Sequence, residues 1–159
     1  MMRHVGDTEI TLRRATPADA LAVASLFTHT RAACMPYLPK LHTPADDRIW
    51  MRHVVFTQYD VWVAVLGGRL AGFLALSDDM LEHLYVHPQF HGRGIGIALL
   101  AKACELRPCG FRLWVFQQNA QARRFYESHG LRLVRLTDGA GNEERMPDAE
   151  YEWASHKCP

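Results

Sequence analysis

Residues 87–100 read HPQFHGRGIGIALL, a stretch in which three glycines alternate with other residues before an apolar run. The glycines are Gly92, Gly94 and Gly96. Glycine is costly at the start of a helix, unless something must approach its backbone closely. A strand that runs into a glycine-rich turn and then a helix start presents free backbone N–H groups at the positive end of the helix dipole. The stretch therefore predicts an anion site suited to phosphate.

Two common phosphate-binding motifs do not fit this stretch. The Walker A motif requires Lys-Ser or Lys-Thr after its glycines, and neither follows here. The dinucleotide fingerprint requires glycine or alanine at its third position, which Ile97 or Leu99 occupies in the two registers that can be tried. Taken alone, the stretch leaves open a tight turn that binds no ligand.

The composition is that of a folded domain without a strong charge. The chain has 159 residues, of which 48% are hydrophobic, and we expect one domain spanning 1–159. The formal net charge of +1 gives no reason to expect a nucleic acid or a membrane surface as partner. The first ten residues lack the apolar core of a signal peptide. We therefore predict a cytoplasmic protein that is a monomer or a homodimer.

The cysteines and histidines suggest neither disulfides nor a metal site. Four cysteines are present and none forms a Cys-x-x-Cys pair, so we expect free thiols in a reducing cytoplasm. His83 and His87 would lie about 13 Å apart on one strand, too far apart to share an ion. We therefore predict no metal.

The order of elements indicates an α+β domain. Two copies of the sequence TPAD, at 16–19 and 43–46, have the threonine, proline and aspartate spacing of a helix start. Apolar alternation and turn residues predict the remaining elements. The predicted helices are 17–29, 44–57, 94–106 and 120–129, and the predicted strands are 9–14, 61–66, 69–77, 80–88, 111–116, 131–136 and 149–154.

Two motifs resemble the GNAT superfamily of N-acetyltransferases. The first is LYVHPQFHGRGIGIALL at 84–100, and the second is NAQARRFYESHGL at 119–131. They occur in the order and at the spacing that the family shows. The resemblance implies a mostly antiparallel, mixed central sheet of about seven strands, splayed in the middle and flanked by about four helices. It also implies acetyl-CoA as the donor.

The resemblance assigns a donor site to this chain. The pyrophosphate would bind backbone N–H groups of 91–96, and the pantetheine arm would pair with 84–86 like an added strand. One departure is His91, which stands where the family usually has Gln or Arg. The implied cofactor-binding residues are Leu84, Tyr85, Val86, His91, Gly92, Arg93, Gly94, Ile95, Gly96, Asn119 and Phe125.

Catalytic roles follow for two residues. Tyr126 matches the position that protonates the departing thiolate, although a core aromatic is the alternative. Glu82 is the leading base candidate, with a solvated strand carboxylate as the alternative. A backbone N–H near Val86 would polarise the thioester carbonyl. Asn119 would bond the pantetheine arm or serve only as a helix cap.

The acceptor side is expected between the first two helices. Residues 31–42 are too apolar for a plain linker and contain two prolines. Met35, Tyr37, Leu38 and His42 would line the acceptor pocket, and the polar loop 137–148 would close it.

The sequence therefore predicts an N-acetyltransferase acting on a primary amine of a small molecule or peptide. The open alternatives are a catalytically silent acyl-CoA-binding or regulatory module of the same fold and a phosphate-binding protein unrelated to CoA.

Overall fold

Seven strands form two antiparallel sheets that meet at their edges. The computed structural model describes residues 9–155 and 158; residues 1–8, where no signal peptide is predicted, lie outside the described residues. The sheet orders are β1-β2-β3-β4 and β5-β7-β6. The strands are β1 (Ile10–Arg14), β2 (Asp60–Leu66), β3 (Arg69–Leu76), β4 (Leu81–Val86), β5 (Gly110–Phe116), β6 (Arg132–Leu136) and β7 (Asp148–Ala154). This arrangement confirms the predicted fold.

Turn glycines explain the central hairpin. Gly67 and Gly68 connect β2 to β3 with φ of 59° and 74°. Two consecutive positive φ angles are what a two-residue hairpin turn needs to match the twist of its strands. The Gly-Gly pair therefore sets the register of β2 with β3, in which Leu66 pairs with Arg69.

Four helical rods flank the sheets. They are α1 (Ala20–Cys34), the rod formed by α2 (Pro44–Trp50), a π-helical stretch (Met51–Val55) and α3 (Phe56–Gln58), then α4 (Ile95–Leu106) and α5 (Ala120–Ser128). Both TPAD segments form capping boxes, at Thr16 with Asp19 and at Thr43 with Asp46. The first box begins a 3-10 turn that leads into α1. The capping chemistry that the sequence indicates is thus present at both helix starts.

Helix α1 is longer than the sequence predicts. The predicted end at residue 29 is wrong, because α1 continues to Cys34. Its C-cap is Met35, with φ of −130° and ψ of 58°. Pro36 follows Met35, and a residue before proline is pushed out of the helical region. Proline therefore ends the helix, which adds another turn of α1 to the surface above β4.

Two apolar clusters lie on opposite faces of the first sheet. Alternate residues of β3 join different clusters: Leu74 packs with α4 and the second sheet, whereas Phe73 packs with α1 and the π-helical stretch. Strand β4 divides in the same way, with Val86 in the first cluster and Tyr85 in the second. Neighbouring side chains of β4 therefore face two different compartments.

A disulfide corrects the expectation of four free thiols. Cys109 and Cys158 are bonded, with their Cα atoms 5.3 Å apart, while Cys34 and Cys104 are free. The cause is topological, because Gly110 pairs with Ala154 at the ends of β5 and β7. That pairing brings the residue before β5 close to the segment after β7. The free-thiol argument for a reducing compartment therefore no longer holds.

Candidate active site

Strands β4 and β5 run parallel and separate from each other along their length. They are joined near their starts, where Met80 bridges Arg112 and the Arg112 N–H donates to Asp79 O at 2.9 Å. Past Val86, the His87 N–H donates to Ala71 O on β3 at 2.8 Å. Antiparallel pairing alternates, so the N–H and C=O of Val86 point away from β3 into the gap. The gap therefore has an open strand edge along one side.

His91 is bonded to this edge. Its Nε2 lies 2.8 Å from Val86 O. A carbonyl only accepts hydrogen bonds, so Nε2 carries the proton in this contact. The sequence prediction assigned His91 to the phosphate loop. In the structure its ring also ties the start of that loop to the end of β4.

The glycine loop has the conformation that only glycine adopts readily. Gly92 and Gly94 have φ of 79° and 81°, in the left-handed region. Gly94 is the N-cap of α4 and provides no side-chain cap, so the first N–H groups of the helix have no capping partner. At Gly96, an added Cβ would lie 3.4 Å from the Phe125 ring and 3.8 Å from Val86 Cγ2. These features suit the loop to a phosphate group, and the fit supports a CoA-type ligand.

Helix α5 brings its two predicted residues to the same gap. The Ala122 N–H donates to Asn119 Oδ1 at 3.1 Å, which confirms Asn119 as a helix cap and leaves its amide nitrogen for another partner. Tyr126 is 8% exposed. Burial raises the pKa of Tyr126, with the nearby Tyr85 phenol as the lesser cause. The Tyr126 hydroxyl therefore stays protonated at neutral pH.

These elements enclose a cavity of about 310 Å³, the first cavity. It collects nearly all the predicted donor residues. They are Leu84, Tyr85, Val86, His91, Gly92, Gly94, Ile95, Gly96, Asn119 and Phe125, and the predicted acid Tyr126 lines the same cavity. Arg93 is the exception, because its guanidinium lies over the Phe90 ring, 5.8 Å from the centroid.

A second cavity of about 620 Å³ lies on the other side of β4. Its walls include the aromatic rings of Phe27, Trp50 and His83. Met35 lines both cavities, so it stands at the junction between them, beside the end of α1. A channel between them would bring a donor on one side of β4 within reach of an acceptor on the other.

The structure brings most of the predicted acceptor residues to the second cavity. Met35, Leu38 and His42 line it, whereas Tyr37 does not. The Tyr37 hydroxyl is buried without a hydrogen-bond partner among the residues that the structure describes. Glu82, the predicted base, lines neither cavity. It lies opposite the irregularity between Ala75 and Leu76, where the β3–β4 register shifts.

An ion pair and a histidine–carboxylate hydrogen bond hold the 137–148 loop across the second cavity. Arg31 on α1 bonds Glu144 at 3.0 Å, and His42 bonds Glu143 at 2.6 Å. At the rim, the Thr28 hydroxyl donates to Asp47 at 2.6 Å. The predicted closing loop is thus anchored to both sides of the cavity, and carboxylates are prominent in its rim.

His83 is the buried imidazole of the second cavity. Burial lowers the pKa of His83 to about 4, and the positive charge of Arg31 adds to the effect. The ring lies 5.2 Å from Trp50 and 5.7 Å from Phe27, centroid to centroid. His83 is therefore neutral at pH 7 and serves as part of an aromatic wall.

Sequence reasoning did not assign several residues of the second cavity. Arg31, Trp50 and His83 line it, yet none was among the predicted acceptor residues. Arg31 was missed because the predicted end of α1 at residue 29 left it in a loop. The absence of proline or glycine before Pro36 is the signal that would have extended the helix.

The comparisons agree with this geometry. The family described as "Acetyltransferase (GNAT) domain" matches residues 57–132. An uncharacterised N-acetyltransferase of Mycobacterium bovis is 31% identical over 133 residues, which cover 74% of this chain and 85% of that protein. The chain belongs to the GNAT superfamily of N-acetyltransferases.

Two further proteins are similar to this chain. L-amino acid N-acyltransferase MnaT of Escherichia coli is 28% identical over 135 residues, covering 76% of this chain and 78% of MnaT. The solved structure of yncA from Salmonella typhimurium with its cofactor acetyl-CoA has a TM-score of 0.71 at 20% identity. It covers 96% of this chain and 98% of yncA, and at this identity it shows the fold alone.

Metal-binding clusters and membrane-spanning helices are absent from residues 9–155 and 158, the part of the chain that the structure describes. No group of three or more His, Cys, Asp or Glu residues there could hold a metal ion. None of the helices there has the length and apolarity to cross a bilayer.

Proposed function

We propose that this protein transfers the acetyl group of acetyl-CoA to a primary amine of a small molecule or a peptide. One observation carries the proposal: the first cavity joins the open edge at Val86, the glycine loop and Tyr126, and it shares Met35 with the second cavity. The donor would bind on one side of β4 and the amine on the other.

The main chain would do most of the donor binding. Amides of the loop 91–96 and the first turn of α4 suit the pyrophosphate, because they lie at the positive end of the helix dipole. The outward-facing N–H and C=O of Val86 suit the amides of the pantetheine arm. To bind the pantetheine arm, the Val86 carbonyl oxygen would have to accept a second hydrogen bond beside the one from His91, or lose the bond from His91.

Transfer would then be a direct attack. A bond forms between the amine nitrogen and the thioester carbon, and the carbon–sulfur bond breaks. The Val86 N–H would stabilise the negative charge on the carbonyl oxygen. Tyr126 would donate its proton to the departing thiolate, and its buried phenol holds that proton at neutral pH.

The amine must also lose a proton. Glu82 remains our proposed base, and a water relay is required because Glu82 lines neither cavity. Burial raises the pKa of Tyr59, with the nearby charge of Glu82 as the lesser cause. Tyr59 lies near this part of β4, because its ring is 6.5 Å from that of His83, the residue after Glu82. A relay would run along this side of the second cavity.

The acceptor cavity carries charges of both signs, because Arg31 and Lys40 line it beside several carboxylates. Asp47, Glu143 and Glu144 contribute carboxylates to its lining, and Trp50 offers an aromatic face. The same features suit a small amine, an amino-acid derivative or a peptide N-terminus. We leave the choice among them to experiment.

A thiol-release assay tests the proposal. Acetyl-CoA is mixed with the protein and a panel containing a small primary amine, several amino acids, a peptide with a free N-terminus and a lysine peptide. We expect CoA release with at least one member, and no release with its N-acetylated form as the control. Acetyl-CoA binding without release across the panel would indicate the silent module instead. Failure to bind acetyl-CoA would overturn the proposal altogether.

A further inference from the structure

Thr30 is a buried residue of α1 whose hydroxyl has no hydrogen-bond partner within the described part of the chain. It is 4% exposed and lines the first cavity. Its Oγ1 makes no hydrogen bond with any residue that the structure describes. Buried hydroxyl groups are nearly always hydrogen-bonded, so an unpartnered one calls for a ligand or a bound water.

Two other helical threonines make a hydrogen bond to their own helix that Thr30 does not make. The Thr28 hydroxyl, on the same helix, lies 3.0 Å from Ala24 O and 2.6 Å from an Asp47 carboxylate oxygen, and its single proton serves these two acceptors. The Thr57 hydroxyl donates to His53 O at 2.7 Å. Bonding to the carbonyl four residues earlier is the ordinary arrangement for a threonine inside a helix. Thr30 departs from this arrangement where its helix borders the first cavity.

The surroundings of Thr30 indicate what kind of group it would meet. The other α1 residues near this cavity are Cys34 and its C-cap neighbour Met35. Burial raises the pKa of the Cys34 thiol, so that thiol stays protonated and is only a weak donor. Thr30 is thus the strongest hydrogen-bond donor among the α1 side chains that line the cavity. Met35 also lines the second cavity, so this wall lies toward the junction where transfer would occur.

We propose that the Thr30 hydroxyl donates a hydrogen bond to the thioester carbonyl oxygen of bound acetyl-CoA, an inference that rests on the proposed function. A carbonyl oxygen only accepts, which suits a hydroxyl that has no other partner. The position of Thr30 near the junction favours the reacting end of the donor over its phosphates. In the free protein the buried, unsatisfied hydroxyl carries a desolvation penalty, and donor binding removes that penalty.

The experiment compares variants in two ligands. Calorimetry measures the affinities of the wild type, Thr30→Val and Thr30→Ser for acetyl-CoA and for CoA, which has no thioester carbonyl. We expect Thr30→Val to weaken acetyl-CoA binding about three- to tenfold, the loss of one hydrogen bond. We expect its CoA affinity to stay at the wild-type value and Thr30→Ser to restore acetyl-CoA binding.

Thermal unfolding of the ligand-free protein supplies an independent readout. Thr30→Val keeps the shape of threonine and removes an unsatisfied hydroxyl, so its Tm should stay the same or rise. Thr28→Val is the matched control: it loses a hydroxyl that is hydrogen-bonded within the protein, so its Tm should fall while its acetyl-CoA affinity stays unchanged.

Four outcomes would overturn the assignment. One is unchanged acetyl-CoA affinity in Thr30→Val, and the second is an equal loss for CoA, which would remove the thioester carbonyl as the partner. The third is a fall in Tm as large as that of Thr28→Val, since the hydroxyl would then have a partner within the protein. The fourth is a wild type that binds neither ligand. In that case the proposed function fails as well, whereas the first three outcomes overturn only the role of Thr30.

Discussion

Tyr126 lies where a buried phenol can face the reacting end of a thioester. It lines the first cavity beside Phe125, on a helix capped by Asn119. Its pKa is raised by burial, so the hydroxyl remains a proton donor across the neutral pH range. The ring also packs 6.4 Å from that of Tyr151, centroid to centroid. This packing fixes the ring independently of the hydroxyl.

The variant Tyr126→Phe should therefore separate chemistry from packing. It keeps the ring, so the Tm and the acetyl-CoA affinity should stay near wild type. The turnover number should fall about 10²- to 10⁴-fold, the usual contribution of general acid catalysis. The measurement is thiol release at saturating donor and acceptor, with the amine that the panel identifies.

Tyr151→Phe is the control for Tyr126→Phe. Tyr151 is also a buried tyrosine, but its hydroxyl accepts a hydrogen bond from Arg123 Nε at 3.0 Å. Removing that hydroxyl should lower the Tm and leave the turnover number unchanged. Wild-type turnover in Tyr126→Phe, under conditions where chemistry limits the rate, would rule out its role as the acid.

Individual residues were predictable where a motif fixes their place, and unpredictable where packing does. The cap at Asn119 and the loop glycines follow from local sequence, and the structure has them as predicted. Tyr37 and Arg93 do not line the cavities to which they were assigned. The Arg93 guanidinium lies over the Phe90 ring and the Tyr37 hydroxyl is buried, and the spacing of the motif carries no signal for either side-chain direction.

At the scale of an element, the turn from β4 into α4 has a backbone conformation that is strained for any residue except glycine, and the same turn is the proposed pyrophosphate site. Gly94 has a positive φ and empty space around its missing side chain. Alanine there meets no clash, but it must adopt the left-handed conformation, which costs about 1–2 kcal/mol. If the loop changed its conformation to relieve that strain, its amide groups would also turn away from the pyrophosphate that we propose they bind.

Gly94→Ala should accordingly lower both stability and affinity. We expect a loss of about 1–2 kcal/mol in the free energy of unfolding and roughly tenfold weaker acetyl-CoA binding. Gly68→Ala is the matched control, because Gly68 has φ of 74° and equally empty surroundings but lies in the β2–β3 turn. It should lose similar stability and keep the wild-type affinity. Equal affinities in the two variants would remove the loop from the binding site.

Helix ends show which part of an element the sequence determines. Both TPAD segments predict helix starts correctly, because capping is a local interaction. The predicted end of α1 was five residues early, at 29 rather than Cys34. No local stop signal precedes Pro36, and the last turn also buries Thr30 and Met35. Pro36 thus ends the helix beyond the predicted boundary, because a residue before proline leaves the helical region.

At the scale of the molecule, the decisive feature is the separation of two sheets. The parallel strands β4 and β5 are bridged near their starts at Met80 and Arg112, and the glycine loop and α5 border the gap that opens beyond. Side chains of β4 alternate between the two faces, so one strand serves both cavities. The family resemblance implies this splay, whereas no strand pattern in the sequence predicts it. The Cys109–Cys158 bond was likewise not predictable, because it depends on the pairing of β5 with β7.

The central claim is that acetyl-CoA binds in this gap, and amide chemical shifts of the ¹⁵N-labelled protein test it most directly. On titration with acetyl-CoA we expect the largest shifts at 84–86, 91–97 and 119–126. The amides of β1 and β6, which lie away from the gap, should stay unperturbed and serve as internal controls. Saturable shifts confined to these three segments are the predicted result. Shifts that leave Val86 and the loop 91–96 unchanged, at donor concentrations that saturate binding, would contradict the account.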